Sequence, residues 1–145
     1  METPIEVTLE NYQELAQRTS STSKYPGQLD VLDTLDFSHV EIVRLLHGAI
    51  GLCTEAGEIQ DTLKKHLFYA ADLDENNLIE ECGDVLWYLA EILNALKIPL
   101  QKVMQANISK LAVRYPEKFD SEMAIVRDAQ AEMEAVSKEI SKDKK

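Results

Sequence analysis

The chain has 145 residues, 45% of them hydrophobic, and a formal net charge of −11. This is enough apolar material for the core of one globular domain. The acidic charge argues against a nucleic-acid-binding surface, which needs clustered Lys and Arg, and against adhesion to anionic membranes. Only five Gly and four Pro favour an all-helical protein.

Five helices are predicted in chain order, separated by polar or proline-containing segments. A loop at 19–27 and an ambiguous connector at 30–37 follow the first helix, and a Ser38/Glu41 capping box opens the second. The predicted helices are Thr8 to about Arg18, Ser38 to about Phe68, Asp74 to about Leu96, Leu100 to about Val113, and Ser121 to Ile140. The sequence therefore predicts an all-α, four-helix-bundle-type fold with additional terminal helices, in a single domain spanning 1–145.

Sequence features also predict the cellular compartment. No apolar run approaches the roughly 20 residues that cross a bilayer, and the acidic N-terminus lacks the layout of a signal peptide. Cys53 and Cys82 lie in helical segments, where we expect small buried hydrophobes in a reducing compartment. These features predict a cytoplasmic protein.

Two carboxylate pairs, Glu55-x-x-Glu58 and Glu81-x-x-Asp84, are the most informative pattern in the chain, with 22 residues between them. Residues three apart share one helix face, with Cβ atoms about 5–6 Å apart. The interval fits two antiparallel helices that bring the pairs together. Carboxylates that face each other repel unless they bind a proton or a cation, and oxygen ligands favour Mg²⁺, or Mn²⁺. We therefore expect a metal site.

Other features of these two helices bear on this interpretation. The segment 50–95 holds ten acids and two bases, which concentrates the negative charge at the pairs. Gly57 and Gly83 lie inside the pairs at a cost of about 1 kcal/mol each relative to Ala, which indicates close approach of a helix or ligand. Spacing alone leaves Glu80 as an alternative to Glu81. A di-iron site is disfavoured because such sites use Glu-x-x-His motifs, which this sequence lacks. His47 is a separate candidate for lining the metal site.

The motifs resemble those of the MazG-like all-α nucleotide pyrophosphohydrolase superfamily, with a matched core at about 38–119 and a C-terminal helical extension at 120–145. The resemblance implies hydrolysis of a nucleoside triphosphate to monophosphate and pyrophosphate, and it selects Glu81 over Glu80. The motifs that carry it are Gly51-Leu-Cys-Thr-Glu-Ala-Gly-Glu58, Asp61, Lys64-Lys65, Glu80-Glu-Cys-Gly-Asp-Val-Leu-Trp-Tyr88, Asn107-x-x-Lys110-Leu and Arg114-Tyr-Pro-Glu-Lys-Phe119.

The same resemblance implies roles for individual residues. Mg²⁺ would be held by Glu55, Glu58, Glu81 and Asp84, and Glu58 is also the candidate general base. The candidate substrate-binding residues carry phosphate-binding charges, or donors and rings that can contact sugar or base. They are Lys64, Lys65, Tyr88, Asn107, Lys110 and Arg114, with Tyr25 and Phe37 as further aromatic candidates for base selection.

Assembly and an alternative function complete the expectations. The helices around Glu55 and Asp84 carry apolar residues on a second face, including Val43, Ile50, Ile79 and Trp87, and such a face needs a partner. We therefore expect a homodimer or homotetramer with nucleotide as the small-molecule partner. The alternative is a non-catalytic helical bundle that binds a nucleotide or a protein.

Overall fold

The computed structural model describes residues 6–20 and 40–142, and all regular structure in these ranges is helical. The helices are α1 Tyr12–Gln17, α2 Val40–Tyr69, α3 Glu75–Leu96, α4 Leu100–Arg114, α5 Ser121–Ile125 and α6 Ala129–Ser141. The predicted all-α class is confirmed. Ser38 of the predicted capping box, the connector at 30–37 and the aromatic candidates Tyr25 and Phe37 lie outside the described residues.

The chain divides into two compact units, Met1–Lys97 and Ile98–Lys145. In the first unit α3 packs against both α2 and α1, and in the second unit α4 packs against α6. Across the two described ranges, none of the helices is both long and apolar enough to cross a membrane. The carboxylate pairs lie in the first unit, on α2 and α3.

Helices α2 and α3 form an antiparallel hairpin whose ends are set by local signals. Ala70 follows α2 with φ 56°, the left-handed conformation that commonly ends helices. Asp74 then caps α3, because its side chain accepts a hydrogen bond from the backbone N–H of Asn77 at 3.0 Å. Since the connection is short, residues of α2 and α3 that lie equally far from the turn face each other.

Two glycines allow α2 and α3 to approach closely. A Cβ atom at Gly51 would lie 2.1 Å from the Tyr88 ring, and one at Gly48 would lie 2.6 Å from the Ile92 side chain. Neither position therefore accepts even alanine without movement of the facing side chain of α3. No atom lies within 4 Å of a Cβ built at Gly57 or Gly83. No described helix of this chain therefore packs closely against either glycine.

Helical periodicity predicts an inward-facing apolar stripe on each of α2 and α3, and the structure buries these stripes only in part, with Leu93 at 4% exposed as the best-buried member. Gly48, Gly51, Thr62 and Glu81 are buried or nearly so, whereas several predicted inward residues are exposed. These exposed residues are Ile42, Leu46, Cys53, Leu63, Cys82, Leu86 and Leu96. The prediction that both cysteines are buried was wrong, because α2 meets α3 through its glycine and carboxylate face and leaves the cysteine-bearing faces uncovered within the chain.

Polar side chains join α1 to α3. The indole N–H of Trp87 donates hydrogen bonds to the carbonyl of Ala16 at 3.1 Å and to the Thr19 hydroxyl at 2.8 Å. One turn further along α3, the fully buried Glu91 accepts a hydrogen bond from Ser20 at 2.7 Å. These bonds anchor the chain that follows α1 on the face of α3 that carries Trp87.

The predicted last helix, Ser121 to Ile140, was wrong as one element because the structure contains two helices there. Val126 has an extended backbone (φ −95°, ψ 94°) that ends α5. Asp128 then caps α6 by accepting a hydrogen bond from the backbone N–H of Ala131 at 2.9 Å. The apolar period continues across this break, so periodicity alone predicted one helix.

Candidate metal centre

Three carboxylates from two helices converge on one point. Glu55 lies on α2, and Glu81 and Asp84 lie on α3, each with one oxygen within 4.8 Å of the others. The i,i+3 spacing places Glu81 and Asp84 on the same face of α3. The antiparallel hairpin brings Glu55 opposite them, so three of the four predicted ligands meet.

Glu81 is the buried member of this set, with only 8% of its surface exposed. Burial is the main cause that raises the pKa of its carboxyl group. The amide of Asn77 lowers the pKa by donating a hydrogen bond at 2.9 Å, while Glu55 and Glu58 raise it through their negative charges. The carboxylates of the site thus repel one another, and a bound cation or proton would relieve this repulsion.

Glu58, the fourth predicted ligand, lies outside the set of three mutually close oxygens. It is exposed on α2, one turn after Glu55. Its charge nevertheless raises the pKa of Glu81 and also the pKa values of Lys64 and Lys65. The negative charge of Glu58 therefore acts both on the converging carboxylates and on the two lysines.

Tyr88 borders the carboxylates one turn after Asp84. Burial and then the charges of Glu55 and Asp84 raise the pKa of its phenol. Its ring makes edge contacts with Trp87 (centroids 4.9 Å apart) and with His47 (5.5 Å). The buried Nδ1 of His47 makes no hydrogen bond among the described residues, so its contacts there are with aromatic rings.

The predicted phosphate ligands Lys64 and Lys65 both pair with Asp61. The ammonium group of Lys65 lies 2.7 Å from a carboxylate oxygen of Asp61, and that of Lys64 contacts the other oxygen. Hydrogen bonds from both lysines lower the pKa of Asp61 to about 2. Asp61, one turn after Glu58, thus forms ion pairs with the ammonium groups of both lysines. It is not a member of the converging set of carboxylates.

The remaining predicted substrate residues lie on α4 in the second unit. Asn107 is exposed and Lys110 is half-buried. The guanidinium group of Arg114 forms two hydrogen bonds with Glu132 of α6, at 2.8 and 2.6 Å. Glu132 is 3% exposed and also pairs with Arg127 at 2.7 Å. Arg114 therefore ties α4 to α6, and its predicted contact with phosphate stays a prediction.

Sequence reasoning missed two residues beside the carboxylates, Thr62 and Asn77. The Thr62 hydroxyl donates to the side-chain oxygen of Asn77, and the NH₂ group of the same amide donates to Glu81. The available signal was the i,i+4 spacing of Asn77 and Glu81 in the first turns of α3. Glu132 was also missed, because nothing local marks it as the partner of Arg114.

Comparison with known proteins gives two matches. Residues 49–119 match the sequence model of the MazG nucleotide pyrophosphohydrolase domain. The chain is also similar to the "Gene 37 protein" of Mycobacterium phage L5, with 35% identity over 99 residues, which are 66% of this chain and 80% of that protein. No solved structure matches the chain significantly. The matched residues include all four predicted metal ligands.

Proposed function

Since this chain belongs to the MazG nucleotide pyrophosphohydrolase domain family, we propose that it hydrolyses a nucleoside triphosphate to the monophosphate and pyrophosphate with Mg²⁺. The observation that carries this proposal is the convergence of Glu55, Glu81 and Asp84 within the matched segment. A non-catalytic bundle has no need of three repelling carboxylates on facing helices.

The donor set fits a hard divalent cation. All three ligand atoms are carboxylate oxygens, the type that Mg²⁺ and Mn²⁺ prefer. Glu55, Glu81 and Asp84 would hold the ion, and Glu58, one turn after Glu55 on α2, is the further candidate ligand. When bound, Mg²⁺ supplies positive charge that neutralises the triphosphate and lowers the pKa of a coordinated water.

The chain's own residues supply the remaining chemistry. Glu58 is exposed next to the carboxylate set, where it can take the proton of the attacking water. Lys64 and Lys65 are pre-positioned by Asp61 and can exchange this partner for phosphate oxygens. Tyr88 borders the same site. The reaction adds water across the bond between the α- and β-phosphates, so pyrophosphate leaves.

The products of hydrolysis test the proposed function. Ribo- and deoxyribonucleoside triphosphates incubated with the protein and Mg²⁺ are expected to give nucleoside monophosphate and pyrophosphate, and chelation by EDTA should stop the reaction. Chromatography separates the nucleotides, and orthophosphate is assayed with and without added inorganic pyrophosphatase. Nucleoside diphosphate together with orthophosphate, before pyrophosphatase is added, would contradict the proposal.

We also propose that the protein is at least a homodimer, formed through α2 and α3. Both helices expose large apolar side chains in the single chain, and such a surface usually marks an interface. A two-fold symmetric partner is the simplest cover. The exposed residues include Ile42, Leu46, Ile50, Leu63, Leu67, Phe68, Ile79 and Leu86.

Light scattering checks this assembly. The active protein is expected to have at least twice the chain mass of 16.4 kDa. The Ile79→Glu variant should weaken the assembly, whereas Ile125→Glu should not, although both isoleucines are exposed (71% and 83%). Active wild-type protein with the mass of a single chain would rule out the dimer.

A further inference from the structure

A short chain of hydrogen bonds connects α2 to the buried carboxylate of the candidate metal centre. Thr62, 8% exposed on α2, donates its hydroxyl proton to the side-chain oxygen Oδ1 of Asn77 on α3. Asn77 then donates from Nδ2 to Oε1 of Glu81 at 2.9 Å. The backbone of Asn77 is itself fixed by the Asp74 cap. The Asn77 side chain therefore extends from a backbone position that is held in place.

The order of donors and acceptors gives this chain a direction. An asparagine amide has one oxygen that accepts and one NH₂ group that donates. Because a carboxylate oxygen only accepts, the NH₂ group faces Glu81, and the Thr62 hydroxyl donates to the amide oxygen on the other side. The reversed amide would place an oxygen against the carboxylate. The Thr62 hydroxyl thus holds the Asn77 amide in the orientation that donates to Glu81.

Glu81 needs such support more than the other carboxylates of the set. It is the buried member, and both Glu55 and Glu58 repel it. With no donor on Oε1, its side chain would be free to turn away from Glu55. The Asn77 donor bonds only one of its two oxygens, so it fixes the direction of the carboxylate and leaves the other oxygen outside this hydrogen bond.

We propose that Thr62 and Asn77 are positioning residues for the metal centre, which hold Glu81 by one oxygen so that the other can bind a divalent cation. The inference rests on the proposed function, because it assigns these residues to the same site. The inference assigns to the metal centre two residues that would not coordinate the cation themselves. Hydrogen-bonded partners of metal ligands commonly tune metal affinity.

Mn²⁺ binding to nucleotide-free protein tests the inference without any measurement of activity. Titration followed by electron paramagnetic resonance gives the dissociation constant. Asn77→Ala is expected to weaken Mn²⁺ binding about 10- to 100-fold. Asn76→Ala is the matched control, since this neighbouring asparagine is exposed on the same turn, and it should bind as the wild type does.

Thr62 variants separate positioning from simple packing. Thr62→Ser keeps the hydroxyl and should bind Mn²⁺ as the wild type does, whereas Thr62→Val keeps the shape, loses the donor and should bind more weakly. If the two residues act in series, the Thr62→Val/Asn77→Ala double variant should bind no more weakly than Asn77→Ala. Thermal unfolding of each variant shows whether the fold persists.

The possible outcomes distinguish this inference from the proposed function. Wild-type binding together with unchanged binding in folded Asn77→Ala would overturn the positioning role and leave the metal centre standing. Additive losses in the double variant would also overturn it. A wild-type protein that binds no Mn²⁺ would overturn both the inference and the proposed metal dependence.

Discussion

Replacing Asp84 with alanine is expected to abolish Mg²⁺-dependent hydrolysis and to leave the helices folded. Asp84 is exposed on α3 and supplies one of the three converging oxygens. Loss of a direct ligand should cost more than the roughly 100-fold upper range for residues that only support ligands. Since Asp84 repels Glu55 and Glu81, its removal should not destabilise the metal-free protein. Steady-state kinetics and circular dichroism of the variant check both parts.

Glu80→Ala is the matched control for Asp84→Ala. Glu80 is also an exposed acid on α3, but it is not among the three converging carboxylates. It was the alternative to Glu81 that spacing alone left open. The control should therefore keep most of the wild-type activity. Comparable activity in Asp84→Ala, or equal losses in both variants, would contradict the assignment.

Replacing Arg114 with methionine is expected to lower the free energy of unfolding more than any other single substitution proposed here. Glu132 is buried between Arg114 and Arg127, and the side chain of Arg114 is only 16% exposed. Removal of Arg114 leaves the buried Glu132 carboxylate with Arg127 as its one remaining ion-pair partner among the described residues, and because Arg127 is 47% exposed, much of the compensation of the buried charge is lost. The melting temperature should fall by roughly 10 °C for a chain of this size. Differential scanning calorimetry measures the change.

Two further variants control the Arg114 experiment. Lys142→Met breaks an exposed ion pair with Glu139 and should lower the melting temperature by about 3 °C or less. The Arg114→Met/Glu132→Leu double variant removes both charges and should recover part of the loss, because no buried charge then remains. A double variant less stable than Arg114→Met would show that the ion pair is not the cause.

The same ion pair predicts acid sensitivity. Hydrogen bonds from Arg114 and Arg127 lower the pKa of Glu132 to about 2, from an ordinary value of 4.5. A lowered pKa stabilises the folded state above pH 4.5, and that contribution is lost as the pH falls towards 2. Melting curves of wild type and Glu132→Gln should therefore differ at pH 6 and converge near pH 2. A difference that stays constant with pH would contradict the prediction.

The parts of the structure that could be predicted from sequence depend on local geometry. The Asp74 cap, the helix after Pro99 and the convergence of acids three residues apart all follow from contacts within a few residues or across one short turn. The i,i+3 spacing fixes a shared face whatever the rest of the fold does. This is why the carboxylates of α2 and α3 were recognisable before any family resemblance.

The parts that could not be predicted depend on which helix faces meet. Both α2 and α3 are apolar on more than one side, so periodicity did not show that the Gly48 and Gly51 face would be buried. The exposure of Cys53 and Cys82 follows from that choice. Glu132 reaches Arg114 across 18 residues, and no spacing rule links such a pair.

A crystal structure determined from crystals soaked in Mn²⁺ would show whether Glu55, Glu81 and Asp84 hold a divalent cation. Anomalous scattering locates Mn²⁺ independently of the protein coordinates. We expect an anomalous peak between α2 and α3, at about 2.1 Å from an oxygen of each of the three residues. A well-ordered site without a peak, or a peak that these carboxylates do not contact, would show that the three residues do not form a metal centre.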